Sequence, residues 1–179
     1  MKYLVTALLL LVSFTVSSQE NDADEKGFFY KISLATTLTI NEDFTIGNDD
    51  GETFINPSAL FINNTFGIQW DERSSVGLNI EYDWHSKQGL HFLPVYISYR
   101  YNLLVFEDNF FLRGGYGKLV NISKDFENGS LYKVGLGFQL FNDDYEHSFL
   151  LGLDFSRKRY GRKQLEKISS VSIFLEYFF

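Results

Sequence analysis

The chain contains no cysteine. That removes both a disulfide framework and a thiol-anchored lipid, so an exported domain of this size has to be held by burial and backbone pairing alone. It also lacks any apolar run of the roughly 20 residues that a membrane-spanning helix needs. Its longest such run, Leu4 to Val16, is too short, and no later stretch approaches it. If the chain crosses a membrane, it does so with strands. Positive charge is in deficit as well, with 16 Lys and Arg against 23 Asp and Glu and a net charge of −7, which argues against nucleic acid as a partner.

What is present begins with a short basic start, Met1-Lys2-Tyr3, followed by the apolar run and the small residues Val16-Ser17-Ser18. This order of n-region, h-region and small-residue cleavage point predicts a signal peptide over residues 1–18. Gln19 to Lys26 (QENDADEK) has no apolar period, so residues 19–27 are expected to form a disordered periplasmic leader. Residues 28–179 are then enough for one domain and not comfortably two.

From Phe28 onward the dominant period is two. Val76, Leu78, Ile80, Tyr82 and Trp84 alternate with Gly77, Asn79, Glu81 and Asp83, a segregation that strands produce and helices do not. The same alternation sets Tyr30, Ile32, Leu34 and Leu38 against Lys31, Ser33, Ala35 and Thr37. It recurs over Leu60 to Trp70, Tyr132 to Leu140 and Ser170 to Phe179, and less regularly over Leu90 to Tyr101, Phe110 to Gly117 and Ser148 to Ser156. Eight strands result, the smallest even number that closes an outer-membrane barrel. Short connections are expected at Asp71–Ser74, Asn102–Asn109 and Asn142–His147. Longer ones are expected at Asn41–Pro57, Lys118–Ser130 and Arg157–Lys167, with His85–Gly89 a short exception; the termini then lie in the periplasm and the longer set outside.

Alternation alone does not say whether the apolar face meets lipid or lines a cavity, as in a lipocalin-like barrel. Three features favour lipid. Glycines gather on the polar face at Gly67, Gly77, Gly115, Gly117, Gly135, Gly137 and Gly152, leaving room in a narrow lumen for a few long charged side chains. Aromatic residues on the apolar face collect near strand ends, where interfacial girdles sit: Tyr30, Trp70, Tyr99, Tyr101, Tyr177 and Phe179 at one end, Tyr82, Trp84 and Tyr132 at the other. The last strand also stops on Phe179 with no trailing helix. The expected fold is all-β, an eight-stranded antiparallel up-and-down transmembrane barrel.

Val171, Ile173, Leu175, Tyr177 and Phe179 resemble the C-terminal assembly signal of outer-membrane barrels, a terminal aromatic preceded by hydrophobic residues at every second position. That resemblance implies recognition by the barrel-assembly machinery. More broadly the chain resembles the small outer-membrane β-barrel proteins of Bacteroidota, to whose export signals Gln19 after the cleavage point is also similar. The resemblance implies an outer-membrane location, porin-like in the broad sense, and carries no catalytic motif.

Turning the polar faces inward places eight charges in the lumen: Lys31, Arg100, Arg113 and Lys133 against Glu81, Asp83, Asp154 and Glu176. Lys31, Arg100, Arg113 and Glu176 fall nearer the periplasmic end. The plain reading is a salt-bridged filling, since buried charges must be paired; the sharper one is a narrow conduction path through the same groups. Between loops, Glu42, Asp43, Asp49, Asp50 and Glu52 face a basic outer loop of Arg157, Lys158, Arg159, Arg162, Lys163 and Lys167. These are either solvated tips, an attracting lid, or a basic patch for lipopolysaccharide phosphates. Asn48 to Glu52 hints at calcium, but Ile46 and Pro57 stand where an EF-hand loop needs its first Asp and last Glu. A lipid-modifying enzyme needs a nucleophile beside a base, and only His85, His91 and His147 are available, with no convergent set. No cofactor and no enzymatic activity are expected; outer-membrane lipid is the expected partner.

Overall fold

In a computed structural model of the chain, residues 27–40, 55–86, 89–105, 108–123, 126–141, 147–161 and 166–179 are described. The expected signal peptide and leader through residue 26, and the acidic first loop, lie outside them. Nine strands follow in order: β1 Gly27–Ile40, β2 Ile55–Gln69, β3 Ser74–His85, β4 Leu90–Phe92, β5 Pro94–Leu104, β6 Asp108–Leu119, β7 Gly129–Phe141, β8 Ser148–Tyr160 and β9 Glu166–Phe178. β4 and β5 both pair with β3 and form one stave of the barrel, interrupted at Leu93. Pro94, which has no N–H to give to a ladder, follows that break.

Counting β4 and β5 as one stave, each stave pairs antiparallel with its sequence neighbour, and β9 closes the ring on β1. The chain is thus a closed eight-staved antiparallel barrel. The register can be followed round it through Ile32, Asn64, Ile80, Val95, Lys118, Ser130, Arg159 and Lys167. Ile32 itself pairs with Tyr177, ten residues beyond Lys167 on β9. A stagger of that size tilts the staves by roughly 40° and leaves an interior that side chains fill.

The apolar face points outward. Leu78, Ile80, Tyr82 and Trp84 of β3 are exposed, as are Ile62, Phe66 and Ile68 of β2 with Trp70 just after it, and Val134, Leu136, Phe138 and Leu140 of β7. Their polar alternates, such as Asn79, Glu81 and Asp83, are buried. One polar residue on this outer face, Asn64, accepts a hydrogen bond from the Tyr30 hydroxyl at 2.6 Å, which offsets part of the cost of presenting an amide to hydrocarbon. The turn after β2 is set by Asp71, whose Oδ1 accepts the backbone N–H groups of Arg73 and Ser74, an Asx-type turn.

Several expected connections are shorter than their sequence bounds, the last most of all. The last connection is not Arg157–Lys167, because β8 runs on to Tyr160 and β9 begins at Glu166. Arg157, Lys158 and Arg159 are strand residues of β8 and Lys167 belongs to β9. Arg162 and Lys163 lie outside the described residues.

Candidate functional site in the barrel lumen

The inward face carries a chain of ion pairs that runs along the barrel. Nearest the termini, Lys31 Nζ lies 3.2 Å from Glu176 Oε2. The other Glu176 oxygen pairs with Arg113. Arg113 reaches across to Asp154 with two parallel hydrogen bonds, Nε to Oδ1 at 2.8 Å and Nη2 to Oδ2 at 2.6 Å, the bidentate geometry that suits a guanidinium. Lys133 Nζ stands 3.8 Å from Asp154 and pairs closely with Glu81, whose Oε2 also accepts the Tyr96 hydroxyl at 3.0 Å. Of the expected eight, Arg100 is held differently: its two terminal nitrogens each donate at 3.0 Å, one to Gln139 and one to Gln69.

A ninth charge joins this set. Lys158, expected in the basic outer loop, is instead 1% exposed and points inward, with Nζ 2.9 Å from Asp83 Oδ2. Its contact is an ion pair without good hydrogen-bond alignment. Among the described side chains the inward set therefore holds five cations and four anions rather than a balanced eight. The alternation of β8 explains the correction: Asp154, Ser156 and Lys158 share one parity and the inner face, while Arg157 and Arg159 share the other.

Aromatic rings complete the filling, and the alternating pattern concealed them. Phe61, Phe111 and Phe174 are buried inside with Ala35, Ala59 and Leu150, and Phe178 packs against them. A second cluster at the loop end joins Phe92, Tyr96, Leu119, Leu131 and Tyr160. The cations lie on these rings: Arg113 stands 3.7 Å from the Phe174 centroid and Lys158 4.5 Å from that of Phe61, which partly replaces lost hydration. Glycines make room for both. A Cβ on Gly152 would meet the Phe174 ring and the Leu136 carbonyl, and one on Gly135 would collide with Asp154. Between Lys31, Tyr96, Arg100, Arg113 and Lys133 a cavity of about 10 Å³ remains, space for about one water.

The other singled-out residues are dispersed. Val171, Ile173 and Leu175 are exposed on the outer face of β9, and Phe179 lies against Tyr177 and His147. His85 is buried at the loop end between Phe61 and Phe92. His91 lies on the outer face, its Nδ1 2.9 Å from the Tyr82 hydroxyl. The Ser86 hydroxyl, next to His85 in sequence, donates to the Ser58 carbonyl at 3.0 Å. Among the described residues, no three His, Asp or Glu gather as a metal cradle.

No family model matches the chain, and no curated protein matches it. Among solved structures it is similar to designed transmembrane β-barrels, at a TM-score of 0.47 and 10% identity, covering 90% of this chain and all of that one. It is also similar to the N-terminal β-barrel domain of Pseudomonas aeruginosa OprF, at a TM-score of 0.50 and 11% identity, covering 85% of this chain and 97% of that one. At that identity the likeness to the OprF domain concerns the fold alone, and that fold is a closed antiparallel β-barrel.

Proposed function

We propose that the protein is an integral outer-membrane barrel of the Bacteroidota type with a structural or surface-interaction role, and that its lumen is a plug rather than a conduit. On this reading it is exported through a cleaved signal peptide and inserted by the barrel-assembly machinery. The observation that carries the plug is the Arg113 guanidinium, which ties Asp154 and Glu176 together across the interior while stacked on Phe174. Opening a path would require those pairs to separate in a low-dielectric space, where parting one member of a buried pair is costly. The apolar cluster around Phe92, Leu131 and Tyr160 supports the same reading at the loop end.

The test is single-channel recording of the purified protein in planar bilayers. Silence is expected across ordinary voltages. Discrete conductance steps that vanish in an Arg113→Ala variant would instead favour a narrow pore for small solutes. A chemical role is tested separately, by comparing lipid A from cells with and without the protein; identical species are expected.

A further inference from the structure

The charges left on the outer wall are not spread evenly round the barrel. Lys118, Arg159 and Lys167 lie on one continuous row of paired residues, Lys118↔Ser130↔Arg159↔Lys167. Arg157 sits one step below, opposite Tyr132, which is itself opposite Tyr116. All four basic side chains therefore stand at the loop end of β6, β8 and β9, with Arg157 level with exposed Tyr116 and Tyr132 and all four above exposed Phe155 and Val171. The far side of the barrel presents Tyr82 and Trp84 near the same end, so among the described residues the basic patch belongs to one arc.

Two further observations point to an anion. Arg159 and Lys167 are direct cross-strand partners, and like charges so placed repel unless something negative lies between them. Among the described side chains, Arg157 Nε is buried without a hydrogen-bond partner, and among them no carboxylate pairs with any of the four. The Arg159 guanidinium is also held 5.7 Å from the centre of the Tyr132 ring, which presents its donors at the level of an interfacial aromatic.

From this we propose that the outer wall of β6 to β9 at the loop end is a binding surface for the phosphate groups of a membrane lipid, with Arg157, Arg159 and Lys167 as the contacts. The geometry selects lipid over soluble anion. The patch lies on the side of the barrel directly above the apolar band, where lipid headgroups stand. Acyl chains then run down over Phe155, Leu153, Val171 and Ile173, all exposed. Guanidinium groups match phosphate oxygens with paired donors, and ammonium adds a point charge. This inference rests on membrane insertion and is independent of whether the lumen conducts.

The test places the whole mature protein in phosphatidylcholine nanodiscs, with and without about 10 mol% of a bisphosphorylated lipid A, and measures retained lipid by native mass spectrometry. The variant is Arg157→Gln/Arg159→Gln/Lys167→Gln; the control is Arg73→Gln, in the turn at the opposite end. Heat-modifiable migration in both variants verifies that the barrel has formed, which separates failure of the site from failure of insertion. Wild type and control should retain lipid A on the order of tenfold better than the triple variant, with the difference shrinking as salt rises. Equal retention by a folded triple variant overturns the proposal. So does full competition by millimolar inorganic phosphate, which would make the patch a site for a soluble anion, or undiminished retention of dephosphorylated lipid A.

Discussion

Tyr30 and Phe179 exchange both backbone hydrogen bonds, the Phe179 N–H donating to the Tyr30 carbonyl at 2.9 Å and the Tyr30 N–H to the Phe179 carbonyl at 3.5 Å. Their rings also meet, with centroids 5.6 Å apart. The last aromatic of the alternating C-terminal pattern thus helps fasten the seam at which β9 meets β1, in addition to any part it plays as an assembly signal.

Replacing Phe179 with serine should accordingly impair barrel formation while export continues. The expected result is a precursor processed normally but with a reduced heat-modifiable fraction in the outer membrane. Normal levels and a normal gel shift would remove Phe179 from both roles.

The two faces of β3 offer a direct reading of inside and outside. Leu78 is 47% exposed and Asn79 is 3% exposed, where Asn79 bridges Thr65, Asn63 and Ser98. A spin label at Leu78 or Ile80 should be accessible to oxygen and shielded from a water-soluble relaxation agent. A label at Asn79 should report a crowded interior and lower thermal stability. Lipid exposure at Asn79 would invert the barrel.

Much of the wall was legible because burial on one side writes period two into a strand, and the outward positions of β2, β3 and β7 follow that pattern from Leu60, Val76 and Tyr132 onward, with Asn64 the exception. The interior was legible only where it is polar. Phe61 lies between Leu60 and Ile62, Phe111 between Phe110 and Leu112, and Phe174 between Ile173 and Leu175, so alternation vanishes where both faces are apolar. Lys158 was hidden for the complementary reason: between Arg157 and Arg159 it has neighbours of its own charge, and a basic run reads as a solvated loop. Parity counted from Asp154 along the same strand is the signal that finds it.

Glu176 holds two cations, Lys31 and Arg113, which shapes its double-mutant cycles. Glu176→Gln should destabilise the barrel by about 3 to 5 kcal/mol, the usual scale for orphaning a buried charge. Adding Lys31→Met should recover only part of that loss, because Arg113 retains Asp154 and not its second carboxylate. Urea unfolding in lipid vesicles measures each variant. Strictly additive losses in the cycle would show that Lys31 and Glu176 do not interact.

The adjacent residues Lys158 and Arg159 should behave in opposite ways. Lys158 is enclosed by Asp83, Phe61 and Phe92, so Lys158→Gln leaves the Asp83 carboxylate without its cation and should cost several kcal/mol. Arg159 stands on the outer surface, and Arg159→Gln should change stability by no more than about 0.5 kcal/mol in a zwitterionic bilayer. Lys158→Met with Asp83→Asn should restore much of the first loss, since the pair is then removed together and the space between the two rings suits an apolar stem. If the two single variants unfold alike, β8 does not continue past Ser156 with its alternation intact, and Lys158 returns to the loop where its charged neighbours had suggested it lay.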